Sequence, residues 1–172
     1  MKVLIFVEGT ILMHKSAPGC TREEIREQVM NKDPAIGDFA GYVPIANAVK
    51  KIQNWAGCDN KIYYLTSRRN LEEIEAIRSV LVRNHFPVGQ LESCGEGEKY
   101  CDVVTRVMPD ILVEDDCSSI GGESEMAFTY LQPDVKARIK HFAVKEFLGI
   151  EALPDDFRNG AKAVVEDITS ES

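Results

Sequence analysis

Four groups of polar residues stand at or beside the ends of apolar runs, and each is of a kind that handles phosphate or a metal ion. Glu8-Gly9-Thr10 follows the run Val3 to Val7, and Thr66-Ser67-Arg68 follows Ile62 to Leu65. Glu114-Asp115-Asp116 closes Ile111 to Val113, and Lys99 lies ahead of that run. Hydroxyls and a lysine can hold phosphate oxygens, and paired acids can hold the divalent cation that offsets their charge. An acid such as Glu8 can also donate or accept a proton.

Each group also has an ordinary reading. The three acids at 114–116 could be a solvated loop that caps a helix, and Arg68 and Lys99 could be surface charges. Thr66, Ser67 or Asn70 could cap the helix that starts near position 70. Phe6 could be a strand residue packed in a core. Gly95-Glu-Gly97-Glu-Lys99 lacks the length and the Lys-Ser/Thr ending of a P-loop. The three histidines, His14, His85 and His141, are scattered in sequence and receive no role.

The elements that must position these groups alternate between β-branched apolar runs and amphipathic stretches. That order predicts a parallel sheet covered by helices. Strands are expected at Lys2–Val7, Lys61–Leu65, near Val88–Leu91 and at Ile111–Val113, with further candidates at Met126–Leu131 and His141–Val144. Helices are expected at Thr21–Met30, opened by a Thr21/Glu24 capping box, and from Pro44 at a first turn to Gly57. A third covers Asn70–Asn84, with Leu71, Ile74, Ile77 and Leu81 on one face. Another runs from Glu98 to Val107 and is stopped by Pro109, and a polar helix follows from about Pro154 to Asp167. In such a sheet, ligands sit at the carboxyl ends of the strands, where three of the four polar groups fall. The turn-rich stretch 13–41 is the one candidate insertion in an otherwise single domain, 1–172.

Composition mainly excludes. A net charge of −8 with 28% charged residues and a pI near 5.0 argues against nucleic-acid and anionic-membrane partners, which need a basic patch. No apolar run approaches the roughly 20 residues of a membrane span, and no leader pattern opens the chain, so a cytoplasmic location is expected. Five cysteines without a C-x-x-C pair indicate neither a disulfide framework nor a zinc site. Most of them are expected to be buried thiols.

In order and spacing the four groups resemble the motifs of the haloacid-dehalogenase-like (HAD) superfamily. These are an apolar strand running into Asp-x-Asp-Gly-Thr, a Ser/Thr ending the second strand, a Lys, and an acidic pair. The resemblance spans roughly residues 2–120. The segments Asp116–Glu123 and Val144–Ile150 are also similar to one subgroup of the superfamily. It implies a three-layer, Rossmann-like α/β fold with a small or minimal cap, for which 13–41 is the candidate. It implies that Thr66, Ser67, Arg68, Lys99, Gly9 and Thr10 hold phosphate. It further implies that Glu8 stands in the acid/base position and that Asp115, with Glu114 or Asp116, holds Mg²⁺. The departure lies at Phe6, which falls on the aspartate nucleophile and removes a metal ligand with it. The expectation is a degenerate site that binds a phosphorylated small molecule or a partner without efficient transfer, and Mg²⁺ only weakly. The alternative is a Mg²⁺-dependent phosphohydrolase that uses Glu8, or a water activated by it, as nucleophile.

Overall fold

The computed structural model describes residues 1–158. Its elements are β1 (Lys2–Phe6), β2 (Leu12–Met13), α1 (Arg22–Met30), β3 (Val43–Pro44), α2 (Ala48–Gly57), β4 (Lys61–Leu65) and α3 (Leu71–Arg83). They continue with β5 (Gln90–Glu92), α4 (Tyr100–Val107), β6 (Ile111–Asp115), α5 (Pro133–Lys136) and β7 (Lys140–Val144). Five strands form one parallel sheet in the order β5-β4-β1-β6-β7. The chain builds outward from β1 to β4 and β5, then crosses back to lay β6 and β7 on the other side. The carboxyl end of β1 therefore faces a crevice where strand order reverses, the usual ligand position in such sheets.

Alternation along β1 divides its side chains between two cores. Val3, Ile5 and Val7 pack with Ile52 and Trp55 of α2 and Ile77 and Val80 of α3. Leu4 packs on the opposite face with Val103, Val104 and Val107 of α4 and with Leu131, Val135 and Ile139. Strands buried on both faces read as near-continuous apolar runs, which is why β1, β4 and β6 were visible in sequence. Asn70 caps α3, accepting from Glu72 N at 2.8 Å, and Thr21 and Glu24 form the expected capping box.

Several expected elements differ. Pro44 lies in β3, paired antiparallel with Leu12 of β2, and α2 begins only at Ala48. Proline holds the ribbon extended, and the left-handed backbone of Ala46 (φ 47°) separates ribbon from helix. Met126–Leu131 is no strand but a 3-10 turn over Phe128–Tyr130. Leu71, at the first turn of α3, is exposed rather than part of the buried stripe. The third strand starts two residues later than expected, leaving Val88 in solvent. Of the five cysteines, all free, only Cys94 is buried. Pro154–Arg158 is turn and bend, and the remainder of the expected terminal helix lies outside the described residues. The stretch 13–41 holds α1 and two 3-10 turns, and the β2–β3 ribbon closes its base. Among the described residues no helix is long and apolar enough to cross a membrane.

Candidate functional site

The turn after β1 is built around Val7, whose carbonyl accepts from Ile11 N and Leu12 N, both at 3.0 Å. Gly9 has φ +83°, and a Cβ there would lie 3.1 Å from Asp115 Oδ2 and 3.2 Å from Glu146 Cγ. Glycine is thus required both for the turn and for the close approach of two carboxylate side chains. Thr10, fully buried, donates its hydroxyl to Asp115 Oδ2 at 2.7 Å. The first polar group is in this way stitched to the end of β6.

Glu8 turns toward the loop after β4. Its Oε1 accepts the Thr66 hydroxyl, and its Oε2 accepts Ser67 N–H at 3.1 Å. Thr66 Oγ1 in turn accepts from Arg68 N at 3.1 Å. The Arg68 Nε lies 3.9 Å from Glu8 Oε1; it is buried and makes no hydrogen bond, while its guanidinium rests on the Phe39 ring at 4.5 Å. Hydroxyl, backbone N–H and guanidinium thus converge on one carboxylate. Burial raises the Glu8 pKa, opposed by the bonds from Thr66 and Ser67 and by the Arg68 charge.

At the end of β6 the two-residue period of a strand separates the acids. Asp115 faces the crevice, accepting from Cys117 N at 2.9 Å as well as from Thr10. Burial pushes its carboxyl up to about 6, with the neighbouring Glu146 charge adding to the rise. Glu114 points to the opposite face, accepting from Ala127 N at 2.9 Å, Phe128 N at 3.0 Å and His141 Nε2 at 2.9 Å. It is not among the acids at the crevice. Its carboxylate instead collects the N–H groups of the segment expected to be a strand, which is why that segment turns. Lys99 is likewise displaced: exposed, it precedes α4, and it is Tyr100 that turns inward, meeting the Phe6 ring edge-to-face at 5.4 Å between centroids.

Two residues that sequence reasoning passed over complete the cluster. Glu146, just past β7, is buried and accepts from Ser119 N and Ser119 Oγ, both at 2.7 Å, and from Ser118 Oγ at 3.2 Å. Arg22, at the start of α1, donates through Nη2 to both oxygens of Asp116 at 3.2 and 3.0 Å and through Nε to the Glu146 carbonyl at 2.9 Å. One oxygen from each of Asp115, Asp116 and Glu146 lies within 4.8 Å of the others. Arg22 and Asp116 are 94 positions apart, so no local pattern could have paired them. The Ser118–Ser119 segment was visible only through its resemblance.

Magnesium prefers near-octahedral oxygen ligation, and these residues do not supply it. Phe6 offers no ligand, the Glu8 carboxylate is taken up by Thr66 and Ser67, Glu114 points to the opposite face, and Asp116 and Glu146 are occupied by Arg22 and by N–H and O–H donors. Beside this cluster is a cavity of about 220 Å³ lined by Phe6, Glu8, Tyr42, Arg68, Tyr100 and Asp115 among others. Met13, His14, Val29 and Ile36 supply the wall contributed by the 13–41 stretch.

No family model matches the sequence, and no curated protein matches it. Among solved structures, a class C acid phosphatase from Bacillus anthracis with tungstate bound superposes with a TM-score of 0.56 at 14% identity, covering 86% of this chain and 68% of that one. The chain has a HAD-like fold. A haloacid dehalogenase-like family hydrolase from Streptococcus pneumoniae gives a TM-score of 0.48 at 9% identity, covering 84% of this chain and 93% of that one. A D,D-heptose 1,7-bisphosphate phosphatase from Burkholderia thailandensis gives 0.44 at 10%, covering 86% and 93%. In this chain the polar cluster lies at the carboxyl edge of the sheet, with an aromatic ring at the end of β1.

Proposed function

We propose that this HAD-like domain binds a phosphorylated ligand or partner and has lost phosphoryl transfer. The observation that carries the reading is Phe6. It is the last residue of β1, in register with Leu65, and its ring lines the cavity. A phenyl ring there can neither attack phosphorus nor coordinate a cation. The anion-holding side of the site is retained: Thr66, Ser67 and Arg68 present a hydroxyl, a backbone N–H and a guanidinium to one carboxylate, and a phosphate oxygen has the same needs. In this reading a phosphate takes the place of the Glu8 carboxylate, Lys99 has no part, and 13–41 is the small cap. The tungstate-bound acid phosphatase supports an oxyanion site in this fold, and tungstate is accordingly the probe of choice.

Glu8 as a substitute nucleophile is disfavoured because both of its oxygens accept hydrogen bonds, which lowers their nucleophilicity and fixes their direction. The purified chain is therefore expected to show no turnover of p-nitrophenyl phosphate with Mg²⁺. Calorimetry is expected to detect tungstate or phosphate binding that Thr66→Val weakens about tenfold, the loss of one hydrogen bond to a charged group. Turnover at about 1 per second or faster, abolished by Glu8→Gln, would establish the hydrolase instead. Absence of oxyanion binding would remove the phosphate part of the reading.

A further inference from the structure

The fold brings three carboxylates together at one edge of the sheet, and their neutralisation is lopsided. Asp115 is held by a hydroxyl and a backbone N–H, and Glu146 by two hydroxyls and a backbone N–H. Among the described residues neither has an ion pair, and the formal positive charge touching the cluster is Arg22. Its contacts are specific. Nη2 reaches both Asp116 oxygens and also donates to Ser118 Oγ at 2.9 Å, while Nε closes on the Glu146 carbonyl. The guanidinium thus ties the loop after β6 to the residue after β7, a join that a coordinated metal ion would otherwise make.

We infer that Arg22 is a built-in cation that takes the place of a divalent metal at the Asp115–Asp116–Glu146 cluster. A guanidinium suits the task because it stays charged at all working pH values and its several N–H groups reach Asp116, Ser118 and the Glu146 carbonyl at once. It also excludes its competitor, since a metal drawing on Asp116 must first break the Arg22 pair. Arg22 belongs to α1 of the 13–41 stretch, so the same contact seats that stretch beside the cavity. Metal binding at Asp116 and seating of α1 through Arg22 are therefore mutually exclusive. The inference holds whether or not an oxyanion binds at Thr66.

The test is titration of the full chain with Mn²⁺ in phosphate-free buffer, followed by electron paramagnetic resonance of the free ion. The parent is expected to show no saturable site in the low millimolar range. Arg22→Gln keeps a hydrogen-bonding side chain without the charge, and is expected to gain a saturable site at least about tenfold tighter than any parent binding. The gain should vanish in Arg22→Gln with Asp116→Asn, and Arg22→Lys should stay near the parent. Hydrogen exchange across 22–30 should quicken in Arg22→Gln and be unchanged by Mn²⁺ in the parent. A parent that binds Mn²⁺ as tightly as a folded Arg22→Gln would overturn the inference, as would a folded Arg22→Gln that gains nothing. If Arg22→Gln does not fold, saturable Mn²⁺ binding by the parent or by Arg22→Lys overturns it. No binding by either, with quickened exchange over 22–30 in Asp116→Asn, supports it.

Discussion

Asp115 is a carboxyl group that the fold withdraws from water without placing a cation against it. It is 5% exposed, and its pKa rises from the ordinary 3.8 to about 6. The folded state thus favours the protonated form. Stability present below pH 3.8 is lost as the pH rises through 6, an effect on the order of 3 kcal/mol. Asp115→Asn is expected to raise the urea midpoint relative to the parent at pH 7.5, in EDTA, and to lose that advantage at pH 4. An equal difference at both pH values would show that the charge is not what burial penalises. At this scale the sequence was informative wherever a residue follows a strand directly: Glu8, Gly9, Thr10, Thr66, Ser67, Arg68 and Asp115 all meet at one crevice. It misled at Glu114, where the two-residue period sends one of two adjacent acids to the opposite face. It misled again at Lys99, where the residue beside it turns inward instead. Arg22 was invisible because its contacts join segments 94 and 124 positions apart, and Glu146 was visible only within the resemblance of Val144–Ile150.

Elements were legible where periodicity ran long and both ends carried a signal. α3 has Asn70 at its start and a buried Ile74, Ile77, Val80 and Leu81 stripe; β4 has the expected bounds. Elements failed where a tertiary partner overrode local preference. The apolar run Met126–Leu131 reads as a strand, yet Glu114 takes up the N–H groups of Ala127 and Phe128 and a 3-10 turn results. Pro44 reads as a helix start, yet pairing with Leu12 draws it into the ribbon. The entry to β5 offers a test of how tightly such junctions are packed. A Cβ on Gly89 would sit 2.4 Å from the Ile62 carbonyl oxygen and 2.9 Å from a Tyr64 ring carbon. Since the first is backbone, relief requires β5 to move away from β4. Gly89→Ala is expected to lower stability by about 1–3 kcal/mol, read as a shifted urea midpoint with an unchanged slope. A neutral result would mean that β5 is loosely paired at this end.

For the whole molecule, the alternation of strand and helix signals was enough to place the polar cluster, because in a parallel sheet with this strand order the carboxyl edge is where loops converge. It was not enough to set the cluster's charge balance, which depends on α1 reaching across to β6 and β7. Placing a carboxylate at position 6 tests both together. Phe6→Asp should lower stability by about 2–4 kcal/mol, since it removes the ring packed on Tyr100 and brings a charge into a half-buried position. Alone it should gain little Mn²⁺ affinity, because Arg22 still holds Asp116. Joined to Arg22→Gln, it should bind Mn²⁺ more tightly than the sum of the two single changes predicts, a coupling expected when two residues govern one site. Phosphatase activity in the double variant should be weak at most, since a misplacement of 1 Å can cost about 100-fold. If Phe6→Asp alone bound the ion as tightly as the double variant, Arg22 would not be the obstacle, and the aromatic ring by itself would be what bars the metal.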